Sequence, residues 1–282
     1  MSKTILVTGA TGQQGGATVE ALLASASGWN VIALSRKPEA PAARALVARG
    51  VQVLRGDMTD RASLREAMMG VHGVYSVQAS ATHHVNSEIH QGKLVADVAA
   101  ECGVTHFVYS SVGGAERSSG VPHFESKWQI EEHIRKLGLP ATILRPATFM
   151  DNLAKGPMRA IMLSMMKTFV PDTTPLQLMA VRDIGVFAAL AFDQSQEFVG
   201  QAIELAGDML TRPQIITTLK HAGLTPAISL RVPAVLTRRM PEDFPLMFNW
   251  FAEHGYQADI PKLRTRRPEL LTLAAWAKRR TG

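Results

Sequence analysis

Cysteine is almost missing from this sequence: Cys102 stands alone among 282 residues. One thiol excludes an internal disulfide and suits a reducing compartment, so a cytoplasmic location is expected. Its setting, Ala99-Ala-Glu-Cys-Gly103 at the end of a helical stretch, points to packing rather than to reactivity. No apolar run approaches the ~20 residues that a membrane helix needs. There is no N-terminal signal pattern either, because the chain enters an apolar strand almost at once. No membrane association is expected. His83, His84 and His90 have no thiol or carboxylate at ligand spacing, and His-Glu-x-x-His is absent, so no metal is expected. The missing Gly-x-Ser-x-Gly removes an esterase nucleophile elbow.

What is present describes an ordinary globular protein, with 46% hydrophobic and 19% charged residues. The net charge of +6 raises the question of nucleic acid. The excess is thinly spread, however, and gathers late, in Arg264-Thr-Arg-Arg267 and Lys278-Arg-Arg280. Cations suit a helix C-terminus. Without an aromatic-interleaved basic stripe or a helix-turn-helix, direct nucleic-acid binding ranks last among the readings.

Strands and helices alternate through the first half. Ile5-Leu6-Val7, Asn30–Ser35, Val51–Arg55, Val71–Val77, Thr105–Ser110 and Ala141–Arg145 read as strands. The stretches between them, near 41–50, 60–69, 85–102 and 123–137, read as helices, with Asp60 placed to cap its own. This pattern predicts an α/β fold with a doubly wound parallel sheet and a ligand crevice at the carboxyl ends of the strands. After about residue 150 the rhythm breaks. Ala154–Thr168 carries a methionine stripe suited to packing or to an adaptable pocket. Strands are expected at Leu176–Val181, Gln201–Ala206 and Ile228–Val232. Helices are expected from Arg182, over Thr211–Ala222 and through much of 241–282. The expected division is a nucleotide-binding domain over 1–153 and a smaller α+β lobe over 154–282, with some segments returning to the main sheet.

The organising stretch is the turn Gly9-Ala10-Thr11-Gly12-Gln13-Gln14-Gly15 between the first strand and first helix. Glycines here permit unusual backbone angles and close approach of a ligand, and the helix N-terminus offers unpaired N–H groups to a pyrophosphate. The alternative is a mere tight βα turn, and its place between a strand and a helix favours the dinucleotide site. At the next strand end, where an NAD-binding protein often places a carboxylate, stand Arg36 and Lys37. Positive charge there suits a 2′-phosphate, which favours NADP(H). Asp57 and Met58 end the third strand. Asp57 can accept from an adenine amino group or cap a helix, and the Met58 N–H can contact the ring. Gln78 and Ala79, after the fourth strand, let a cofactor pass near the backbone, and Lys93 supplies a cation on the following helix. Ser111 at the fifth strand end either polarises a substrate carbonyl or caps the turn.

His123 and Lys127 lie four apart, on one helical face. In reductases of this architecture that spacing usually holds tyrosine and lysine, the lysine binding the nicotinamide ribose and the tyrosine donating a proton. His123 stands where the proton donor would be; it either serves as one or packs beside the cofactor. Lys127 is read as a ribose ligand against the alternative of a solvated helix lysine.

Together these pieces resemble the NmrA-like family of atypical short-chain dehydrogenases/reductases. The resemblance rests on Gly9–Gly16, Arg36-Lys37, Gly56-Asp57, Gln91-Gly-Lys93, His123-Phe-Glu-Ser-Lys127 and Arg145-Pro-Ala-Thr-Phe-Met-Asp-Asn-Leu153. The histidine run is most similar to the NADPH-sensor subgroup, which lacks the catalytic tyrosine. The resemblance implies a Rossmann-type sheet and NADP(H) as cofactor. It also implies that Lys93, Lys127 and the turn Phe149-Met150-Asp151-Asn152 surround the nicotinamide half. Family members act as reductases on quinones or related carbonyls, or as regulators that bind a partner protein according to cofactor redox state. The expected function is therefore an NADPH-dependent oxidoreductase, with a non-catalytic redox sensor as the alternative. The expected partner is a small-molecule substrate or a regulated protein, and a homodimer stays open.

Overall fold

The structure, a computed structural model of the chain, describes residues 3–78, 85–154, 156–237 and 239–281. In chain order the elements are β1 (Thr4–Val7), α1 (Gln13–Leu23), β2 (Asn30–Ser35), α2 (Pro41–Val47), β3 (Gln52–Arg55), α3 (Arg61–Met68), β4 (Gly73–Ser76), α4 (Val85–Glu101), β5 (His106–Ser110), α5 (Pro122–Lys136) and β6 (Ala141–Pro146). There follow β7 (Thr148–Phe149), α6 (Pro157–Phe169), β8 (Pro175–Met179), α7 (Val181–Asp193), α8 (Ser195–Phe198), β9 (Ala202–Leu205), β10 (Asp208–Thr211), α9 (Arg212–His221), α10 (Ala234–Thr237), α11 (Asp243–Glu253), α12 (Ile260–Arg266) and α13 (Leu273–Arg279).

Seven strands form one sheet in the order β3-β2-β1-β4-β5-β6-β9. The pairs from β3 across to β6 are parallel. Ile5, Leu6 and Val7 are fully buried, as a strand covered on both faces requires. The chain winds outward from β1 to β3, then restarts at β4 on the other side of β1. That reversal creates a switch point between β1 and β4, the place where such sheets bind ligands. The fold is the Rossmann-like α/β fold expected from the alternation.

By its packing the chain divides into two compact units, and neither is continuous in sequence. One comprises Met1–Ser111, Ser126–Leu144 and Arg182–Ile203; the other comprises Val112–Glu125, Arg145–Val181 and Glu204–Gly282. In the first, Leu64, Met68, Val95, Phe107 and Ile130 belong to a core between sheet and helices. Asp60 caps α3 as expected, its carboxylate accepting from the Ala62 N–H at 3.0 Å.

In the second unit, β10, β8 and β7 make a small mixed sheet. Met162, Met165 and Met166 are buried with Phe248, Trp250 and Trp276, so the methionine stripe is packing. Gln214 Oε1 accepts from the Thr211 N–H at 2.8 Å, half of the capping box that opens α9.

The strand expected over Ile228–Val232 does not form; the segment runs without regular structure. Its polar groups pair with α6 instead of with a neighbouring strand. The Leu230 N–H donates to Ser164 Oγ at 3.0 Å, the Val232 N–H to Thr168 Oγ1 at 2.9 Å, and Ser229 Oγ to the Leu163 carbonyl at 3.0 Å. Helix hydroxyls thus satisfy donors that a ladder would otherwise take, and a β-rich composition yields to them.

Candidate dinucleotide site

Where β1 ends, Gly9 turns the chain with φ of +60°, a conformation that L side chains rarely adopt. Its carbonyl accepts from the Gly12 N–H at 2.8 Å, and the Gly12 carbonyl accepts from the Gly16 N–H at 2.9 Å. A Cβ on Gly15 would lie 2.2 Å from the Gly9 carbonyl oxygen, so the turn rests directly on the first helical turn. Gly12 is the N-cap of α1, no side chain caps it, and the first turn holds no acidic residue. The helix end therefore keeps its N–H groups and positive dipole for an external anion. Thr11, Gly12 and Gln13 are exposed there, while Ala10 is buried. Gln14 ties the helix to the strand ends, its Oε1 accepting from Ser110 Oγ at 2.6 Å.

Arg36 and Lys37 are exposed just beyond β2. The Arg36 carbonyl accepts from Arg55 Nη1 at 3.2 Å, and the Lys37 N–H donates to Ser35 Oγ at 3.2 Å. Beside them opens a cavity of about 500 Å³, lined by Arg36, Arg55, Gly56, Asp57, Ser63 and Glu66 among others. Asp57 does not cap α3; its Oδ1 accepts from the Thr59 N–H at 2.9 Å and from Thr59 Oγ1 at 2.8 Å. The backbone bond above all, with the Thr59 hydroxyl and the Arg36 charge adding to it, outweighs burial and holds the carboxyl below its ordinary value.

At the end of β4, Thr8 extends the pairing with β1: its hydroxyl donates to the Val77 carbonyl at 3.0 Å and accepts from the Val77 N–H at 2.9 Å. Gln78 is buried; its Nε2 donates to Ser76 Oγ at 3.0 Å and lies 4.0 Å from the sulfur of half-buried Met58. Gln78 Oε1 has no partner among the described residues. Ala79 lies outside the described residues, as do His83 and His84. Lys93 is half-buried on α4.

Lys127 is not a solvated lysine. Its ammonium lies 2.9 Å from Glu88 Oε1, and the two side chains expose only 7% and 3% of their surface. The same nitrogen reaches the Ser110 carbonyl at 3.4 Å and stands 5.5 Å from the centre of the Tyr109 ring. Burial first, then the nearby Glu88 and Glu131 charges, push the Tyr109 phenol far above its ordinary value, so it stays neutral. Ser111 is buried, and its hydroxyl donates to Glu131 Oε1 at 2.6 Å while Arg135 Nη2 donates to Glu131 Oε2 at 2.7 Å. Glu88 escaped the sequence reading, although a signal existed. Glu88, Gly92, Val95 and Ala99 share the inward face of α4, which makes Glu88 a carboxylate on an otherwise apolar stripe.

Within the second unit, Asp243 Oδ1 lies 3.1 Å from His123 Nδ1 and accepts from the His123 N–H at 3.2 Å. A carboxylate on that nitrogen fixes the ring orientation. Phe149 ends β7, and Met150-Asp151-Asn152 form a single helical turn in which Met150 is buried. Asp151 is held on both sides, accepting from the Val181 N–H at 2.9 Å and from Arg280. A charge chain runs Arg145–Glu116–Arg117–Glu204, its first link 2.6 Å long and its second 3.2 Å, with the Arg117 guanidinium over the Trp250 ring. Arg145 was legible in the sequence only as part of a motif; a charge closing the apolar run of β6 was the available clue.

A parallel sheet with this strand order, and a glycine turn at its switch point, define a dinucleotide-binding α/β protein class. The chain belongs to the NmrA-like family, whose pattern matches residues 1–277. It is 29% identical over 271 residues to an NmrA-like family domain-containing protein of Dictyostelium discoideum, an alignment covering 90% of this chain and 89% of the other. Two solved structures share the fold. The NADPH-dependent quinone oxidoreductase QOR2 of Escherichia coli, complexed with NADPH, superposes with a TM-score of 0.80 at 23% identity, covering 98% of this chain and 99% of that one. NmrA, a negative transcriptional regulator solved in complex with NADP, gives 0.77 at 22% identity over 98% and 94%. Among the described residues no helix is long and apolar enough to cross a membrane.

Proposed function

We propose that this chain binds NADP(H) at the β1–α1 turn and acts as an oxidoreductase on a quinone or conjugated carbonyl. The observation that carries the reading is the uncapped N-terminus of α1, packed so tightly on its glycine turn that a Cβ at Gly15 would strike backbone. Such a surface suits a pyrophosphate. Arg36 and Lys37 would take the 2′-phosphate, and the ionised Asp57 would accept from the adenine amino group while Met58 contacts the ring. Gln78 Oε1, buried without a donor, would accept from a hydroxyl or amide of the ligand. Lys127 would donate to the nicotinamide ribose, with Lys93 serving the same half.

The bound cofactor supplies a hydride. The chain supplies orientation and charge. Ser111, whose proton already goes to Glu131, is a poor donor to a substrate. His123, braced by Asp243, keeps a claim to that role. The engaged Ser111 and the missing tyrosine support a second reading, a redox sensor that regulates a partner protein, as the likeness to the regulator NmrA also does. The two separate in one assay. Purified protein is mixed with NADPH and a panel of small quinones, and loss of nicotinamide absorbance is followed. The oxidoreductase reading expects turnover that Lys127→Met abolishes. Tight NADPH binding with no turnover of any acceptor overturns it in favour of the sensor.

A further inference from the structure

Lys127 carries a charge in a place that water hardly reaches, and a buried ammonium needs an opposite charge beside it. Glu88 provides it from a different helix, at 2.9 Å. The carboxylate is itself fixed: Ser126, the residue before Lys127, donates its hydroxyl to Glu88 Oε2 at 2.7 Å. Each carboxylate oxygen thus faces one partner on α5. The two helices meet closely at this level, where a Cβ on Gly92 would fall 2.5 Å from Ile130. An ammonium has three N–H donors. Among the described residues Glu88 faces the ammonium as a charge partner at 2.9 Å, and the Ser110 carbonyl accepts from it at 3.4 Å. One N–H remains to offer.

We infer that Glu88 is the positioning residue of Lys127: it pairs with the ammonium and fixes it so that the remaining N–H serves the bound ligand. The inference rests on the reading of Lys127 as a ligand of the nicotinamide ribose, and it adds the residue on which that role depends. Ser126 completes the arrangement by fixing the carboxylate, and the Tyr109 ring beside the ammonium adds an attraction that any cation would feel.

The test compares two ligands by calorimetry on the full chain. NADPH contains the nicotinamide ribose, whereas 2′,5′-ADP contains only the adenine and 2′-phosphate end. Lys127→Met is expected to weaken NADPH about tenfold and to leave 2′,5′-ADP unchanged. Glu88→Gln is expected to do the same, and the double variant to lose no more than Lys127→Met alone, because both substitutions remove one interaction. Ser126→Ala retains both charges and loosens the carboxylate, so it is expected to weaken NADPH about threefold with 2′,5′-ADP again unchanged. It replaces Glu88→Gln as the deciding variant if that protein does not fold. Equal weakening of the two ligands by Glu88→Gln would mark a merely structural residue and overturn the inference. So would unchanged NADPH affinity in Glu88→Gln, or in Ser126→Ala as its replacement, when Lys127→Met loses affinity. Unchanged affinity in Lys127→Met sinks the ribose reading itself, which is a different failure.

Discussion

Two adjacent glycines at the start of α1 face opposite fates on substitution by alanine. At Gly15 the new methyl would lie 2.2 Å from the Gly9 oxygen, 2.5 Å from the Gly9 carbon and 2.8 Å from the Ala10 nitrogen. All three are backbone atoms in a turn tied by its own hydrogen bonds, so no side chain can swing away. Restoring ordinary contact requires the helix to retreat from the turn by about 1 Å, and overpacking of this kind costs about 3 kcal/mol. Alanine returns about 1 kcal/mol of helix propensity, leaving a net loss of about 2 kcal/mol. At Gly16 the nearest atom to the new methyl is the Ala10 oxygen, 3.4 Å away. There the propensity gain stands nearly alone, and stability should rise by about 0.5–1 kcal/mol. Thermal unfolding reads the difference: about 4–8 °C down for Gly15→Ala and about 1–4 °C up for Gly16→Ala. Calorimetric titration with NADPH reads the consequence, about a hundredfold loss for Gly15→Ala, since the N–H groups no longer sit where the pyrophosphate would. A Gly15→Ala protein as stable as the parent, with NADPH affinity within twofold, would refute the close-packing argument and the cradle with it.

Arg36→Ala should weaken NADPH about 10- to 100-fold and NADH less than threefold, because only the former has a 2′-phosphate to lose. Equal losses in a titration would remove Arg36 from that role. His106 gives a pH test of the fold. Its Nε2 lies 2.8 Å from Thr142 Oγ1, whose own proton goes to the Phe198 carbonyl, so Nε2 carries the hydrogen. Among the described residues Nδ1 is buried without a partner, and burial, with the nearby His72 adding to it, lowers the imidazole to about 4. Between there and the ordinary value near 6.5 the unfolded chain binds a proton that the folded chain refuses, so stability rises with pH across this window and is lost as pH falls through it. The loss approaches about 3 kcal/mol at the acid end. Urea unfolding at pH 6.5 and pH 4 should show it, with His106→Gln markedly flatter; an equal slope in the variant would reject the assignment.

How far the sequence carries can be seen residue by residue. The β1–α1 turn was legible because its signals are local: an apolar strand, three glycines and a helix within a few turns of chain. The cations at Arg36 and Lys37 were legible for the same reason. Residue pairs such as Lys127 with Glu88, or His123 with Asp243, join elements up to 120 residues apart, and no spacing announces them. The failed strand at 228–232 shows the same limit from the other side. Its composition favours β structure, yet the deciding partners are hydroxyls of α6 more than sixty residues earlier. The short strands β7 and β10 were missed because two to four residues show no alternation, and each exists only through its pairing with β8.

The edge of the large sheet has a consequence for synthesis. β6 is completed on its outer side by the segment leading into β9, where the Ile143 N–H donates to the Gln201 carbonyl and the Gly200 N–H to the Ala141 carbonyl. The last strand of this sheet leaves the ribosome nearly 200 residues after the glycine turn of the same sheet. At roughly 5–20 residues per second that gap is roughly 10–40 s. For the last part of it, the roughly 3–11 s between the making of β6 and of β9, β6 presents a bare edge of the kind that recruits foreign strands. A nascent chain halted between β6 and β9 should thus depend on a chaperone far more than one released after residue 205, although both already hold the turn.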